Sequence, residues 1–147
     1  MRIGSNETGF VRIAAGCIET SPGELARNAE AIARLVAQAG AARTDLLVLP
    51  ELALTGYTCG DLFYSDTLLD GALEALEALR DYTSGKRCMA VIGVPVRTGG
   101  KLYNCAAVSQ NGAVLGVVPK TVLPNYGEFY EKRQFSSGAD YRGENTI

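Results

Sequence analysis

The sequence predicts an α/β domain with a mixed sheet, and three stretches carry that prediction. Leu46-Leu47-Val48-Leu49 is an all-aliphatic run closed by Pro50, the pattern of a short strand buried on both faces. One amphipathic helical pattern precedes it and another follows it, so strand and helix alternate from the start. Gln110-Asn111-Gly112-Ala113 then marks a β-hairpin, because Asn-Gly supplies the positive φ angles of a type I′ turn. A chain that opens as β-α-β and closes as a hairpin builds both parallel and antiparallel pairs, with the helices covering one face.

Residues 10–18 are mostly β-branched or small and apolar and read as a first buried strand, with Cys17 inside it. Ser21-Pro22-Gly23-Glu24 opens a helix: Ser21 can cap it, Pro22 suits its first position, and Glu24 completes a capping box. Leu25, Ala29, Ile32, Leu35, Val36 and Ala39 recur at three- and four-residue steps as its apolar stripe, and Gly40 is its expected stop. The strand at 46–49 follows. Residues 58–64 show neither period and read as a structured loop. Leu68, Leu69, Ala72, Leu73, Leu76 and Leu79 mark a second helix that ends near Ser84-Gly85. Residues 88–94 are a third buried strand, Thr98-Gly99-Gly100-Lys101 a tight turn, and 102–109 and 114–118 the two hairpin strands. Residues 121–135 are rich in aromatics and charges without a period, the mark of a binding loop or a partly ordered cover. The polar residues 136–147 do not read as the natural end of a domain.

Composition narrows the chemistry. The 147 residues suffice for one domain with a core, but not comfortably for two. A net charge of −2 and no basic block argue against nucleic acid and anionic membrane surfaces. The N-terminus lacks the apolar run of a signal peptide, and no stretch has the length of a membrane span. Cys17, Cys59, Cys88 and Cys105 are widely spaced, which suits cytosolic thiols better than a disulfide framework or a zinc site, so a cytoplasmic protein is expected. With no histidine in the chain, Ser-His-Asp and Cys-His triads and most catalytic zinc sites are excluded. No metal site is expected.

Two strands end in opposite charges. Pro50-Glu51 closes the 46–49 strand and Pro119-Lys120 closes the 114–118 strand. Open α/β sheets bind ligands at the carboxyl ends of their strands. If those strands are neighbours, Glu51 and Lys120 meet in one crevice as a base beside a stabiliser of developing oxyanion charge. A structural salt bridge is the alternative, and no nucleophile accompanies the pair.

Pro50-Glu51-Leu52-Ala53-Leu54-Thr55-Gly56-Tyr57 and Pro119-Lys120-Thr121-Val122-Leu123-Pro124-Asn125-Tyr126 resemble the first two catalytic motifs of the nitrilase (carbon-nitrogen hydrolase) superfamily. The extensions Tyr57-Thr58-Cys59-Gly60-Asp61-Leu62-Phe63 and residues 125–135 are similar to the glutaminase domains of glutamine-dependent NAD synthetases. The resemblance runs from about Phe10 to the end.

What this resemblance implies is the first part, residues 1–147, of a nitrilase-type α-β-β-α sandwich, with the synthetase domain absent. Half a sandwich leaves a sheet face open, so self-association into a homo-oligomer is expected. The implied activity is hydrolysis of the glutamine side-chain amide, supplying ammonia for NAD synthesis from deamido-NAD by a Glu-Lys-Cys triad. Its base falls on Glu51 and its lysine on Lys120. A supporting glutamate falls on Glu128 by position, with Glu131 the other candidate. Tyr57 and Tyr126 flank the motifs and are candidates to line the glutamine pocket, or to pack.

The family's nucleophilic cysteine lies beyond the lysine, and the sequence stops before reaching it. Cys17, Cys88 and Cys105 read as core residues and Cys59 as a loop residue without a nucleophile's place, so the fragment alone is expected to be inactive. The glutaminase step implies no cofactor; ATP, Mg and deamido-NAD belong to the absent domain. Ser136-Ser137-Gly138-Ala139-Asp140 lacks the second glycine and final serine of a pyrophosphate loop. Another nitrilase-superfamily amidase, or a non-catalytic half-domain, are the other functions open to this sequence.

Overall fold

The structure is a computed structural model that describes residues 9–141 and 143. Its sheet has five strands in the order β1 (Ile13–Ala15), β2 (Leu46–Val48), β3 (Met89–Thr98), β4 (Lys101–Gln110) and β5 (Ala113–Pro119). β1, β2 and β3 are parallel, and β4 and β5 continue antiparallel, with a register irregularity at Val108/Ser109. The mixed sheet is therefore the one predicted.

Helices α1 (Leu25–Ala41) and α2 (Asp66–Tyr82) make the two crossovers. Ile32 and Val36 of α1 and Ala72, Leu76 and Leu79 of α2 pack on Leu47, Ala90, Ile92, Val94 and Ala107, forming the main core on one sheet face. Alternation sends Val48, Val91, Gly93, Ala106 and Val118 to the opposite face. There Val48 and Val118 are exposed. Among the described residues no helix is long and apolar enough to cross a membrane.

Several local expectations need correction. The first strand covers three residues rather than nine, and Cys17 lies outside it and is exposed. Glu24, not Ser21, holds the cap position of α1, and its side chain makes no capping bond. Asn28 does that work one turn in: its Oδ1 accepts from Ser21 N–H at 2.8 Å, and its Nδ2 donates to Ser21 O at 2.9 Å and Leu54 O at 3.0 Å. This buried amide, satisfied by three hydrogen bonds, fixes the helix start and also ties α1 to the turn after β2. α1 runs one residue past Gly40. The loop at 58–64 contains a 3₁₀ turn, Gly60–Tyr64. The hairpin turn is as read, with Asn111 at φ 49° and Gly112 at φ 77°.

A second, smaller core seats the chain beyond the strand ends. Leu52, Cys59, Phe63, Leu68, Leu69, Leu102, Leu123 and Phe135 cluster there, with the Phe63 and Phe135 rings edge to face at 4.9 Å. This cluster brings the loop after β2, the start of α2 and residues 121–135 to one end of the sheet. The segment is ordered cover, bearing the short helix α3 (Glu131–Gln134). It is anchored by Tyr64 Oη donating to Arg133 O at 2.7 Å and Ser136 N–H donating to Leu102 O at 2.7 Å.

Candidate active site

Glu51 and Lys120 meet, although their strands are not neighbours. β3 and β4 lie between β2 and β5, so the crevice is made by a route other than adjacency. After Pro50 the chain turns sharply, with Leu52 fully buried at φ 50°, a conformation that costs a branched residue energy and persists only where the surroundings fix it. The turn lies directly across β3 at Gly93. A Cβ built there would stand 2.3 Å from Leu52 N and 2.4 Å from Pro50 O, so only glycine permits the crossing. Leu54 N–H donates to Gly93 O at 3.2 Å and fixes it.

Lys120 Nζ is 2.8 Å from Glu51 Oε2 and 3.0 Å from Oε1. It also reaches Glu131 Oε1 at 2.9 Å. Tyr57 Oη donates to that same oxygen at 2.6 Å, and Asn104 Nδ2 donates to Glu51 Oε2 at 3.1 Å. Exposure is graded across the cluster: the Glu131 side chain is 4% exposed, Lys120 24% and Glu51 51%. One ammonium thus sits between a buried carboxylate behind it and an accessible carboxylate in front. Glu131 Oε2 is buried without a hydrogen-bond partner.

Burial alone would lower the Lys120 pKa, but hydrogen bonds and attraction from Glu51 and Glu131 outweigh it and hold the ammonium above the ordinary lysine value of 10.5. Burial, and then the bond to Glu131, hold the Tyr57 phenol well above its ordinary value. Lys120 is therefore a fixed cation at neutral pH. Glu51 is the more accessible of the two carboxylates that hold it.

A cleft of about 290 Å³ opens beside the pair on the sheet face opposite the helices, lined by Val48, Val91, Ala106 and Val118 with Glu51 and Lys120 at its lip. A second cavity of about 290 Å³ lies behind the cluster, bounded by Tyr57, Phe63, Glu128, Glu131 and Phe135. Glu128, expected beside the lysine, only lines this second cavity; Glu131 holds the contact, because the first turn of α3 aims it inward. Tyr57 is at the cluster, bonded to Glu131. Tyr126 is not: it is 73% exposed, with its ring against Phe129 at 6.0 Å, and lines neither space.

No activated thiol stands at the cluster. Cys105 borders the cleft, but its sulfur is buried, faces the core beneath the helices, and is pushed up to about 12 by burial. Burial also raises Cys59 and Cys88. Among the described residues no group of three or more His, Cys, Asp or Glu side chains could hold a metal ion.

Residues 12–144 match the family model described as carbon-nitrogen hydrolase. The glutamine-dependent NAD(+) synthetase of Mycobacterium tuberculosis is 44% identical over 138 residues, covering 92% of this chain and 20% of that protein. That of Xylella fastidiosa is 38% identical over 127 residues, covering 86% and 23%. The chain thus spans about a fifth of the length of these curated relatives. Among solved structures, the glutamine-dependent NAD(+) synthetase of Cytophaga hutchinsonii superposes with a TM-score of 0.82 at 32% identity, over 86% of this chain and 22% of that one. An amidase from Nesterenkonia sp. gives 0.74 at 25%, over 86% and 48%.

Proposed function

Because the chain belongs to the carbon-nitrogen hydrolase family, we propose that Glu51, Lys120 and Glu131 form the acid–base part of an amide-hydrolysing site whose substrate is the glutamine side chain. One observation carries the reading: Lys120 Nζ lies within 3.0 Å of both Glu51 oxygens and 2.9 Å from buried Glu131, at the lip of an open cleft. A structural salt bridge has no need of an accessible carboxylate backed by a second, buried one. The similarity to glutamine-dependent NAD(+) synthetases supports glutamine as the amide and ammonia for NAD synthesis from deamido-NAD as the product's use.

In this reading a cysteine thiol from outside residues 1–147 enters the cleft, since the thiols of the chain are buried or, like Cys17, absent from the cleft lining. Glu51 takes the thiol proton and the sulfur attacks the amide carbon. The negative charge that collects on the amide oxygen faces the Lys120 ammonium. The C–N bond breaks, the nitrogen takes the proton from Glu51 and leaves as ammonia, and a glutamyl thioester remains. Glu51 then removes a proton from water, which attacks the thioester and releases glutamate and the thiol. Glu131, 2.9 Å from the Lys120 ammonium, is that lysine's buried partner.

The glutaminase step needs no cofactor. ATP, magnesium and deamido-NAD bind, in this proposal, to a synthetase domain outside these residues, in the cytoplasm, and the 147-residue chain alone is inactive. Its open sheet face associates with a second copy.

The test uses the full-length protein that carries this chain and compares nitrogen sources. Glu51→Gln and Lys120→Met are each expected to cut glutamine-driven NAD formation by about 10³-fold, while ammonia-driven formation stays near wild type. Glutamine-driven activity that survives both changes would overturn the reading. The similarity to a Nesterenkonia amidase variant in complex with acrylamide favours a small amide as the second candidate substrate, and hydrolysis of such amides in preference to glutamine would establish it.

A further inference from the structure

We infer that Asn104 is a positioning residue that fixes the Glu51 carboxylate so that Oε1, not Oε2, is the oxygen offered to the reacting proton. The proton's part in this rests on the amide-hydrolysis reading above; the positioning rests on geometry alone.

Asn104 is out of place by sequence logic. It stands within β4 opposite Pro95, 2% exposed, between the buried residues Tyr103 and Cys105. Asparagine is disfavoured in strands, and a buried amide must be satisfied. Here its two halves hold the two charged partners. Its backbone C=O accepts from Lys120 N–H at 2.8 Å, which places the lysine, and its Nδ2 donates to Glu51 Oε2 at 3.1 Å.

Lys120 cannot orient the carboxylate by itself. Its ammonium is 3.0 Å from Oε1 and 2.8 Å from Oε2, close to symmetric, and a half-exposed glutamate so held is free to exchange its oxygens. Asn104 breaks that symmetry. Oε2 accepts two hydrogen bonds and Oε1 accepts one, so the free lone pair belongs to Oε1. The titratable and charged groups around Glu51 are Lys120 from the end of β5 and, beyond it, Glu131 of α3 and the Tyr57 phenol. Cys105 borders the same cleft with its sulfur toward Tyr103 O. None of these bonds one Glu51 oxygen in preference to the other.

The experiment is NMR on the 147-residue chain, which reads positioning without catalysis. In the wild type, one Asn104 side-chain amide proton is expected to shift through the midpoint of the Glu51 carboxyl titration, and the movement is expected to vanish in Glu51→Gln. In Asn104→Leu the carboxylate loses the donor on Oε2, so the Glu51 side-chain carboxyl carbon resonance is expected to move from its wild-type position. Asn104 amide protons that stay flat across the Glu51 titration would overturn the inference, and so would an unmoved Glu51 carboxyl resonance in a folded Asn104→Leu chain. The wild-type measurement stands if that variant does not fold. Failure of the amide-hydrolysis reading would appear in the nitrogen-source assay and leave both NMR readouts unchanged.

Discussion

Replacing Gly93 with alanine tests how Glu51 is carried to Lys120. The new Cβ would lie 2.3 Å from Leu52 N, 2.4 Å from Pro50 O and 2.7 Å from the Glu51 carbonyl carbon. Carbon atoms pack at about 3.5 Å, so the turn must rise by about 1 Å. All three obstructing atoms are backbone and cannot swing aside. Overpacking of this kind costs about 1–3 kcal/mol. Weakening the 3.2 Å bond from Leu54 N–H to Gly93 O adds about 1 kcal/mol. At about 2–4 °C per kcal/mol for a chain of this size, the melting temperature should fall by about 9 °C. A lift of about 1 Å also draws Glu51 away from Lys120 and Asn104, and under the proposed function it is expected to cost the full-length protein about 100-fold in rate. Gly40→Ala is the control, because that glycine is near the end of α1 with nothing within 4 Å of a built Cβ; there alanine should stabilise by about 0.5 kcal/mol. Thermal unfolding followed by circular dichroism compares the two. A Gly93→Ala chain melting within about 2 °C of wild type would refute the seating of the turn on β3.

Four further outcomes are expected. Asn28→Leu removes three hydrogen bonds at the junction of α1 and the post-β2 turn and should cost about 2–4 kcal/mol in urea unfolding. The Tyr57 phenol is held above its ordinary value of 10.0, so the unfolded chain loses that proton first as the pH rises. Stability is then full below about pH 10 and falls above it, and urea midpoints against pH should fall less steeply in Tyr57→Phe. Of the four cysteines only Cys17 is exposed, so a thiol reagent at neutral pH should label one sulfur quickly and all four after unfolding; rapid labelling of Cys105 would contradict its burial. The exposed Val48 and Val118 should drive concentration-dependent association in sedimentation, weakened by Val118→Lys.

The two ends of the site were legible because proline and charge punctuate the strands. Pro50-Glu51 and Pro119-Lys120 stop their strands and leave a polar side chain over the sheet edge, and the structure brings those two side chains together. The reason for their meeting was not legible. Adjacency of the strands looked necessary, yet β3 and β4 intervene, and the distance is crossed by a turn that only Gly93 allows. The signal was present, since a glycine inside an apolar strand marks a close backbone approach, but it does not say what approaches. Asn104 left a similar trace as a polar residue in the middle of a hairpin strand. Spacing could not separate Glu128 from Glu131 either: both follow the lysine on an aperiodic segment, and the choice depends on where Leu123, Phe63 and Phe135 lock that segment to the second core.

The same logic explains why the cluster is built from separate parts of the chain. A carboxylate and an ammonium on one helix would find each other whether or not the domain folded, and would be solvated when it opened. Here the glutamate rides on the turn after β2, the lysine on the end of β5, the second glutamate on α3 and the orienting amide on β4. Their approach depends on the sheet register that sets Asn104 beside Lys120 and on the small core beneath them. In the proposed reaction the charged groups are then fixed before substrate arrives, and their ordering is completed by folding rather than by binding. Fixing Lys120 by its backbone as well as its ammonium, and Glu51 by an amide as well as an ion pair, leaves Glu51 Oε1 with one hydrogen bond where Oε2 has two.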